Sequence, residues 1–188
     1  HSLRFLSEYD IQKPMKQWNQ FNNDKLATEV VSLLKAGKDV AYISDAGMPG
    51  ISDPGHDLIL LMQQFGLPYT VLPGANAVLP ALVASGFLQK EFYFAGFLPL
   101  KKGRKKQLQK LLELPVPIVF YESPYRVNKL FTELVAFNAG ARSVCLVREL
   151  SKVYEEFIQG PAQQLLEKYK DRVWKGEFVI VLSEKCKE

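Results

Sequence analysis

Short apolar runs and helix-length amphipathic segments alternate along almost the whole of this chain, and that alternation restricts it to the α/β class. Leu26, Val30, Leu33 and Leu34 recur at helical spacing after Asn22 or Asn23, either of which can cap the helix, and Gly37 supplies a stop. Residues 40–43 then read as a short buried strand. A helix over residues 57–65 with Gly66 as its stop, a strand over 69–72 and a small-residue helix ending at Ser85 repeat the unit. Such alternation predicts a parallel sheet covered by helices. In the second half, strands are expected near residues 92–95, 118–121, 144–147, 155–158 and 178–182. The 155–158 strand follows 144–147 too closely for a helical crossover, so that pair is expected to be antiparallel and the second sheet mixed. A boundary at residues 88–91 divides the chain into two expected domains, 1–90 and 91–188.

Several classes are excluded early. The 188 residues are 47% apolar and 23% charged, which argues against global disorder. Residues 58–89 contain no Asp, Glu, Lys or Arg, but Gly66, Pro68, Pro73, Gly74, Asn76 and Pro80 interrupt them, and no apolar run approaches the roughly 20 residues of a bilayer span. No basic segment followed by an apolar stretch opens the chain, so no secretory signal is expected. Cys145 lies inside an apolar run, Cys186 lies near the end, and there is no CxxC or Cys/His cluster, so no metal site is expected. Two lone cysteines fit a reducing compartment, and a cytoplasmic location is expected. With only His1 and His56, nucleophilic machinery built on histidine has little material. Chemistry should rest on carboxylates, cations and backbone.

In open α/β sheets ligands bind beyond the carboxyl ends of strands. The loop Asp45-Ala-Gly-Met-Pro-Gly-Ile-Ser-Asp-Pro-Gly55 is expected in that place, with glycines that admit close backbone approach and with Asp45 and Asp53 able to accept hydrogen bonds from an amine or hydroxyls. A structural loop whose aspartates cap the next helix is the plainer alternative. It is neither GxGxxG nor a P-loop. Glu122 and Arg126 follow one expected strand, and Arg148, Glu149 and Lys152 follow another. They read either as a solvated ionic rim or as a substrate wall, in which Arg126, Arg148 and Lys152 hold an anionic backbone while Glu122 or Glu149 accepts a proton. Lys101, Lys102, Arg104, Lys105 and Lys106 carry five positive charges against a whole-chain net of +4, so the remainder is nearly neutral. They are expected to form a mobile basic loop, either contacting phosphates or simply solvated.

Taken in order, the motifs Ser44-Asp-Ala-Gly-Met-Pro-Gly-Ile-Ser-Asp-Pro-Gly55, Leu72-Pro-Gly-Ala-Asn-Ala77, Gly96-Phe-Leu-Pro99, Phe120-Tyr-Glu-Ser-Pro-Tyr-Arg126, Arg148-Glu-Leu-Ser-Lys152 and Lys175-Gly-Glu-Phe178 resemble those of the ribosomal RNA small subunit methyltransferase I family, within the tetrapyrrole methylase superfamily. The resemblance covers nearly the whole chain. It implies a tetrapyrrole methylase-like α/β fold of two domains with a cofactor cleft between them, usually within a homodimer. The activity it implies is S-adenosylmethionine-dependent methylation of the 2′-hydroxyl of a cytidine in 16S rRNA of the small ribosomal subunit. By the same likeness, Gly47, Met48, Pro49 and Ile51 match the superfamily's cofactor loop, to which the residue pattern adds Asp45. Ala77 and Val78 match a second cofactor contact and Tyr121 a third. Met48 stands where tetrapyrrole enzymes carry a polar residue, so its contact is expected through backbone.

Two departures accompany the likeness. The family opens with a strand, a Gly-Asn loop and an acidic-Asp-Thr-Arg motif, and His1 aligns directly after that motif, so the 1–90 domain is expected to lack its first strand. Where the family often carries His-Glu-His-Asn, this chain has Asn19-Gln-Phe-Asn22, with Asn22 the only match. Two alternatives stay open: a methylase of the same superfamily acting on a tetrapyrrole or a protein side chain, and a non-catalytic RNA-binding relic.

Overall fold

The computed structural model describes residues 2–18 and 23–185. The stretch Asn19-Gln-Phe-Asn22 and Cys186 lie outside the described residues. The chain divides into two compact units, 1–76 and 77–188.

The N-terminal unit contains helices α1 (Ser2–Glu8), α2 (Asn23–Lys35) and α3 (His56–Gln64). Gly37 and Gly66 end α2 and α3 in the same way. Each takes a left-handed φ, 72° and 60°, and lets the chain turn back so that Lys38 N–H reaches Leu33 O at 3.0 Å and Leu67 N–H reaches Met62 O at 2.9 Å. The expected strands at 40–43 and 69–72 do not form, which corrects the sequence-based expectation: no strand occurs in this unit among the described residues. Both stretches are without helix, but a strand exists only by pairing. Val40, Ile43, Tyr69, Val71 and Leu72 stay exposed instead.

The C-terminal unit is an α/β layer built on one sheet. Helix α4 (Val78–Ser85) is followed by β1 (Tyr93–Phe97), α5 (Arg104–Leu112), β2 (Ile118–Glu122), a single 3-10 turn (Pro124–Arg126), α6 (Val127–Ala136), β3 (Ser143–Arg148), β4 (Glu156–Pro161), α7 (Ala162–Tyr169) and β5 (Phe178–Leu182). The sheet order is β1-β2-β5-β3-β4. β1 and β2 are parallel, β5 runs antiparallel to both of its neighbours, and β3 and β4 are antiparallel, so the sheet is mixed. β1, β2 and β3 therefore share one direction and deliver their carboxyl ends to one edge.

Alternation along the strands separates two cores. Ile118, Phe120, Leu146, Ile180 and Leu182 face α5, α6 and α7, meeting Leu108, Leu130, Phe131, Leu134 and Leu165. Val119, Cys145, Val147, Val179 and Val181 face α4 through Val78, Ala81 and Leu82. Cover on both faces explains why these strands read as continuous apolar runs. Cys145 is fully buried and its thiol is pushed up to about 11 by desolvation, so it is a small core hydrophobe.

Candidate functional site

The structure gathers the six sequence motifs into three pairs. The first lies in the N-terminal unit. Met48 N–H donates to Ala75 O at 2.8 Å, and a Cβ on Gly47 would stand 2.9 Å from the same carbonyl, so glycine is what allows the 44–55 loop to sit on the 72–77 turn. Gly47 has φ 73°. From the other side, Gly74 packs against Met48, where a Cβ would meet the Met48 Cβ at 3.3 Å. Ser44 Oγ donates to Gly47 O at 2.8 Å. Asp45 accepts from Ser2 Oγ at 2.6 Å, and that hydrogen bond holds its carboxyl below the usual carboxylate range. The Tyr42 hydroxyl donates to Pro54 O at 2.9 Å, closing the loop's far end, and burial followed by the Asp53 charge raises the phenol.

The 44–55 loop leaves open space beside one of its glycines. Nothing lies within 4 Å of the position a Cβ would take on Gly50, whose φ is 81°, and Ile51 beside it is exposed. Pro49 is half-buried. The Met48 N–H is committed to Ala75 O, which leaves its carbonyl as the main-chain group without a partner in this pairing. Ala77 and Val78, in the C-terminal unit, stand at the start of α4, with Val78 packed in the core. Tyr121 is half-buried on the same face of the sheet, its ring 5.4 Å from Phe94 and 5.2 Å from Phe97. Among the described residues no group of three or more His, Cys, Asp or Glu is placed to hold a metal ion.

The second pair joins 96–99 to 120–126. Phe97 is in register with Tyr121, and Arg126 Nη1 reaches Leu98 O at 3.4 Å. Glu122 is the centre. Its side chain is fully buried: Oε2 accepts from Arg104 Nη2 at 2.8 Å, and Oε1 accepts from Ser123 N–H at 2.7 Å and pairs with Arg126 Nε at 2.6 Å. Arg104 Nε also donates to Glu133 at 2.8 Å. A carboxylate so enclosed anchors the strand end; it is not a wall residue open to solvent. Arg104 corrects the expectation for the basic run, which is not a loop throughout. Arg104 begins α5 and is 1% exposed, while Lys101, Lys102, Lys105 and Lys106 stay exposed. The sequence carried the signal for this. Arg104, Leu108 and Leu111 stand at i, i+4 and i+7, the buried face of α5, and arginine's planar fork suits a buried ionic pair where lysine's point charge does not. Glu133 was likewise missed; it sits on the inner side of α6, three residues after Leu130.

The third pair joins 148–152 to 175–178. Glu149 has φ 49°, donates its N–H to Glu177 O at 2.9 Å and accepts from Glu177 N–H through Oε1 at 2.7 Å. That backbone hydrogen bond, with Lys152 beside it, holds the Glu149 carboxyl low. Gly176 makes room: a Cβ there would lie 2.7 Å from Glu149 Cγ. Lys152 bridges Glu149 at 3.2 Å and Glu177 at 2.8 Å. Arg148 Nε donates to Lys175 O at 2.7 Å and its Nη1 lies 3.5 Å from Glu156. Arg126, Arg148, Glu149 and Lys152 thus all follow strands of one direction at one sheet edge, each with a partner inside the unit.

Known proteins resemble this chain in sequence and in fold. The family model of Tetrapyrrole (Corrin/Porphyrin) Methylases matches residues 2–166. A protein of Thermotoga maritima named ribosomal RNA small subunit methyltransferase I is 38% identical over 98% of this chain and 82% of its own length. Proteins of the same name from Coprothermobacter proteolyticus and Bacillus subtilis are 41% and 37% identical over 96% and 93% of this chain. The chain spans 80% of the former and 60% of the latter. Among solved structures, the methyltransferase CobJ aligns with a TM-score of 0.64 at 18% identity, covering 91% of this chain and 74% of that one. Uroporphyrin-III C-methyl transferase from Thermus thermophilus, complexed with S-adenyl homocysteine, aligns at 0.56 and 18%, covering 85% and 73%. At such identities the structural likeness speaks to the fold, which is that of the tetrapyrrole methylases. The chain belongs to the tetrapyrrole methylase family and, within it, to the ribosomal RNA small subunit methyltransferase I family.

Proposed function

We propose that this chain is an S-adenosylmethionine-dependent methyltransferase that modifies the ribose 2′-hydroxyl of a cytidine in 16S rRNA within the small ribosomal subunit, working in the cytoplasm as a homodimer. The observation that carries the proposal is the 38% identity with the Thermotoga maritima protein over 98% of the chain. No described helix is long and apolar enough to cross a membrane. When bound, S-adenosylmethionine supplies a sulfonium methyl group. The 45–55 loop, with Asp45, Gly47, Met48, Pro49 and Ile51, would hold that ligand by main chain, and Ala77, Val78 and Tyr121 are the further contacts that the family likeness implies. Arg126, Arg148 and Lys152 are the edge cations that would meet an RNA backbone, each held in place by a carboxylate partner. Glu122 and Glu149 position these cations. We read neither as the base, since the first is buried between arginines and the Glu177 amide lowers the basicity of the second. The ribose proton passes to water, and alignment of the hydroxyl does most of the catalytic work.

The test is transfer of labelled methyl from S-adenosylmethionine to small ribosomal subunits that lack the modification, followed by digestion to nucleosides. Label in 2′-O-methylcytidine is expected. Cofactor binding with no label in RNA would overturn the acceptor and favour a tetrapyrrole or protein side chain; RNA binding without cofactor binding would identify a non-catalytic relic.

A further inference from the structure

The start of α5 breaks the usual rules for a helix N-terminus. Its cap is Gly103 at φ 86°, which offers no side-chain acceptor, and its first turn has no acidic residue. Three cations, Arg104, Lys105 and Lys106, sit at the end where the helix dipole is already positive and favours anions. Lys101 and Lys102 precede them. These residues, with Lys129 and Glu133, line one cleft of about 500 Å³ at the carboxyl-end edge of β1 and β2. The buried wall of the cleft adds an independent sign. Arg104 uses Nε and Nη2 on Glu133 and Glu122, but its Nη1 has no hydrogen-bond partner. Buried donors left unpaired are rare and call for an unseen acceptor. Glu133 Oε1, in the same wall, has no hydrogen bond and lies 3.9 Å from Lys129 Nζ. Glu122 and Glu133 balance Arg104 and Arg126, so the charge of five exposed lysines, Lys101, Lys102, Lys105, Lys106 and Lys129, is left over.

We propose that this cleft seats one phosphodiester group of the RNA substrate, held by the first-turn amides of Lys105 and Lys106 and by the ammonium groups of Lys101, Lys102, Lys105 and Lys106. The proposal rests on RNA being the substrate. The arrangement converts a helix start that is poor for stability into one suited to an anion. It also links the bound phosphate to the acceptor edge, because Arg104 touches both the cleft and Glu122, which in turn holds Arg126.

Two measurements on the whole chain test the seat. In the first, inorganic phosphate is titrated while amide resonances are followed by NMR, with chloride at matched ionic strength as control. Saturable shifts at Gly103, Lys105 and Lys106 are expected with phosphate and not with chloride; their absence overturns the seat even if RNA is methylated. In the second, affinity for small ribosomal subunits is measured against salt for the parent and for Lys105→Gln/Lys106→Gln. Loss of one phosphate contact flattens the slope of log affinity against log salt by about 0.7 to 0.9. A slope lower by about twice that means that the two lysines meet separate phosphates and overturns the single seat. An unchanged slope with intact phosphate shifts means a seat for free phosphate and overturns the RNA assignment. Phosphate shifts with the expected slope change but no methyl transfer would leave the seat standing and sink the proposed reaction instead. The variant is expected to melt no lower than the parent, because it removes cations from the positive end of α5, so weakened binding would not reflect unfolding.

Discussion

The loops of the two units are held by different chemistry. In the N-terminal unit, the 44–55 loop and the 72–77 turn grip each other through a main-chain hydrogen bond and two glycines, Gly47 and Gly74. In the C-terminal unit, the loops after β2 and β3 are held by carboxylates: Glu122 between Arg104 and Arg126, and Glu149 on the Glu177 amide. The first kind of loop should tolerate a change of charge and fail when an atom is added. The second should fail when a charge is removed. A loop shaped by main chain also leaves its backbone groups disposed toward a ligand, whereas ionic anchors fix the direction of neighbouring cations.

The largest effect is expected in the ionic loops. Glu122→Ala leaves two arginines facing each other without their shared carboxylate, and removing one partner of a buried pair costs about 3–5 kcal/mol. Urea unfolding should show a loss of that size, while Asp45→Asn, at an exposed carboxylate of the other unit, should shift the curve hardly at all. Equal losses would erase the contrast. Next comes Gly47→Val. A β-branched residue at φ 73° costs about 1–3 kcal/mol, and its Cβ would collide with Ala75 O. Calorimetry should show affinity for S-adenosylmethionine lower by about tenfold or more, equivalent to about 1.4 kcal/mol; unchanged affinity in a folded variant would move the cofactor site away from this loop.

Gly176→Ala sharpens the comparison, because it adds an atom to an ionic loop. At φ 96° the new Cβ would meet the Glu149 carboxylate, and a loss of about 1–2 kcal/mol is expected by denaturant unfolding. The smallest effect is a pH dependence. Hydrogen bonding from Arg172 holds the Glu156 carboxyl below its ordinary value of 4.5. A carboxyl depressed in the folded state adds stability above its unfolded value, and that contribution is lost as pH falls through the lower folded value. Thermal melts below pH 4.5 should therefore decline less steeply for Glu156→Gln than for the parent, with the difference vanishing once both states are protonated. Parallel declines would mean that the Arg172 pair adds nothing in solution.

Legibility in the sequence followed how local each determinant is. The strand expected at 178–182 is β5 to the residue, and those at 118–121 and 144–147 lengthen by only one or two residues as β2 and β3, because burial on both faces writes an unbroken apolar run into the chain. Residues 40–43 and 69–72 are also rich in apolar residues but have no ladder partner among the described residues, so they form neither strand nor helix. The basic run shows the limit of counting charge. Four of its five cations are exposed as expected, but Arg104 turns inward to acceptors 18 and 29 residues away. Helical spacing with Leu108 and Leu111 could have given its direction, though not its partners.

By itself the sequence determined the α/β class, the stops at Gly37 and Gly66, the strands of the C-terminal sheet and the antiparallel pairing of β3 with β4, because propensity, capping and short connections act over a few residues. Only the tertiary structure decided that β5 inserts between β2 and β3, that six motifs become three pairs, and that Glu122 is buried between Arg104 and Arg126. The reason is physical. Burial and charge compensation belong to pairs of groups far apart in the chain, and a carboxylate's role is set by the donors the fold brings to it.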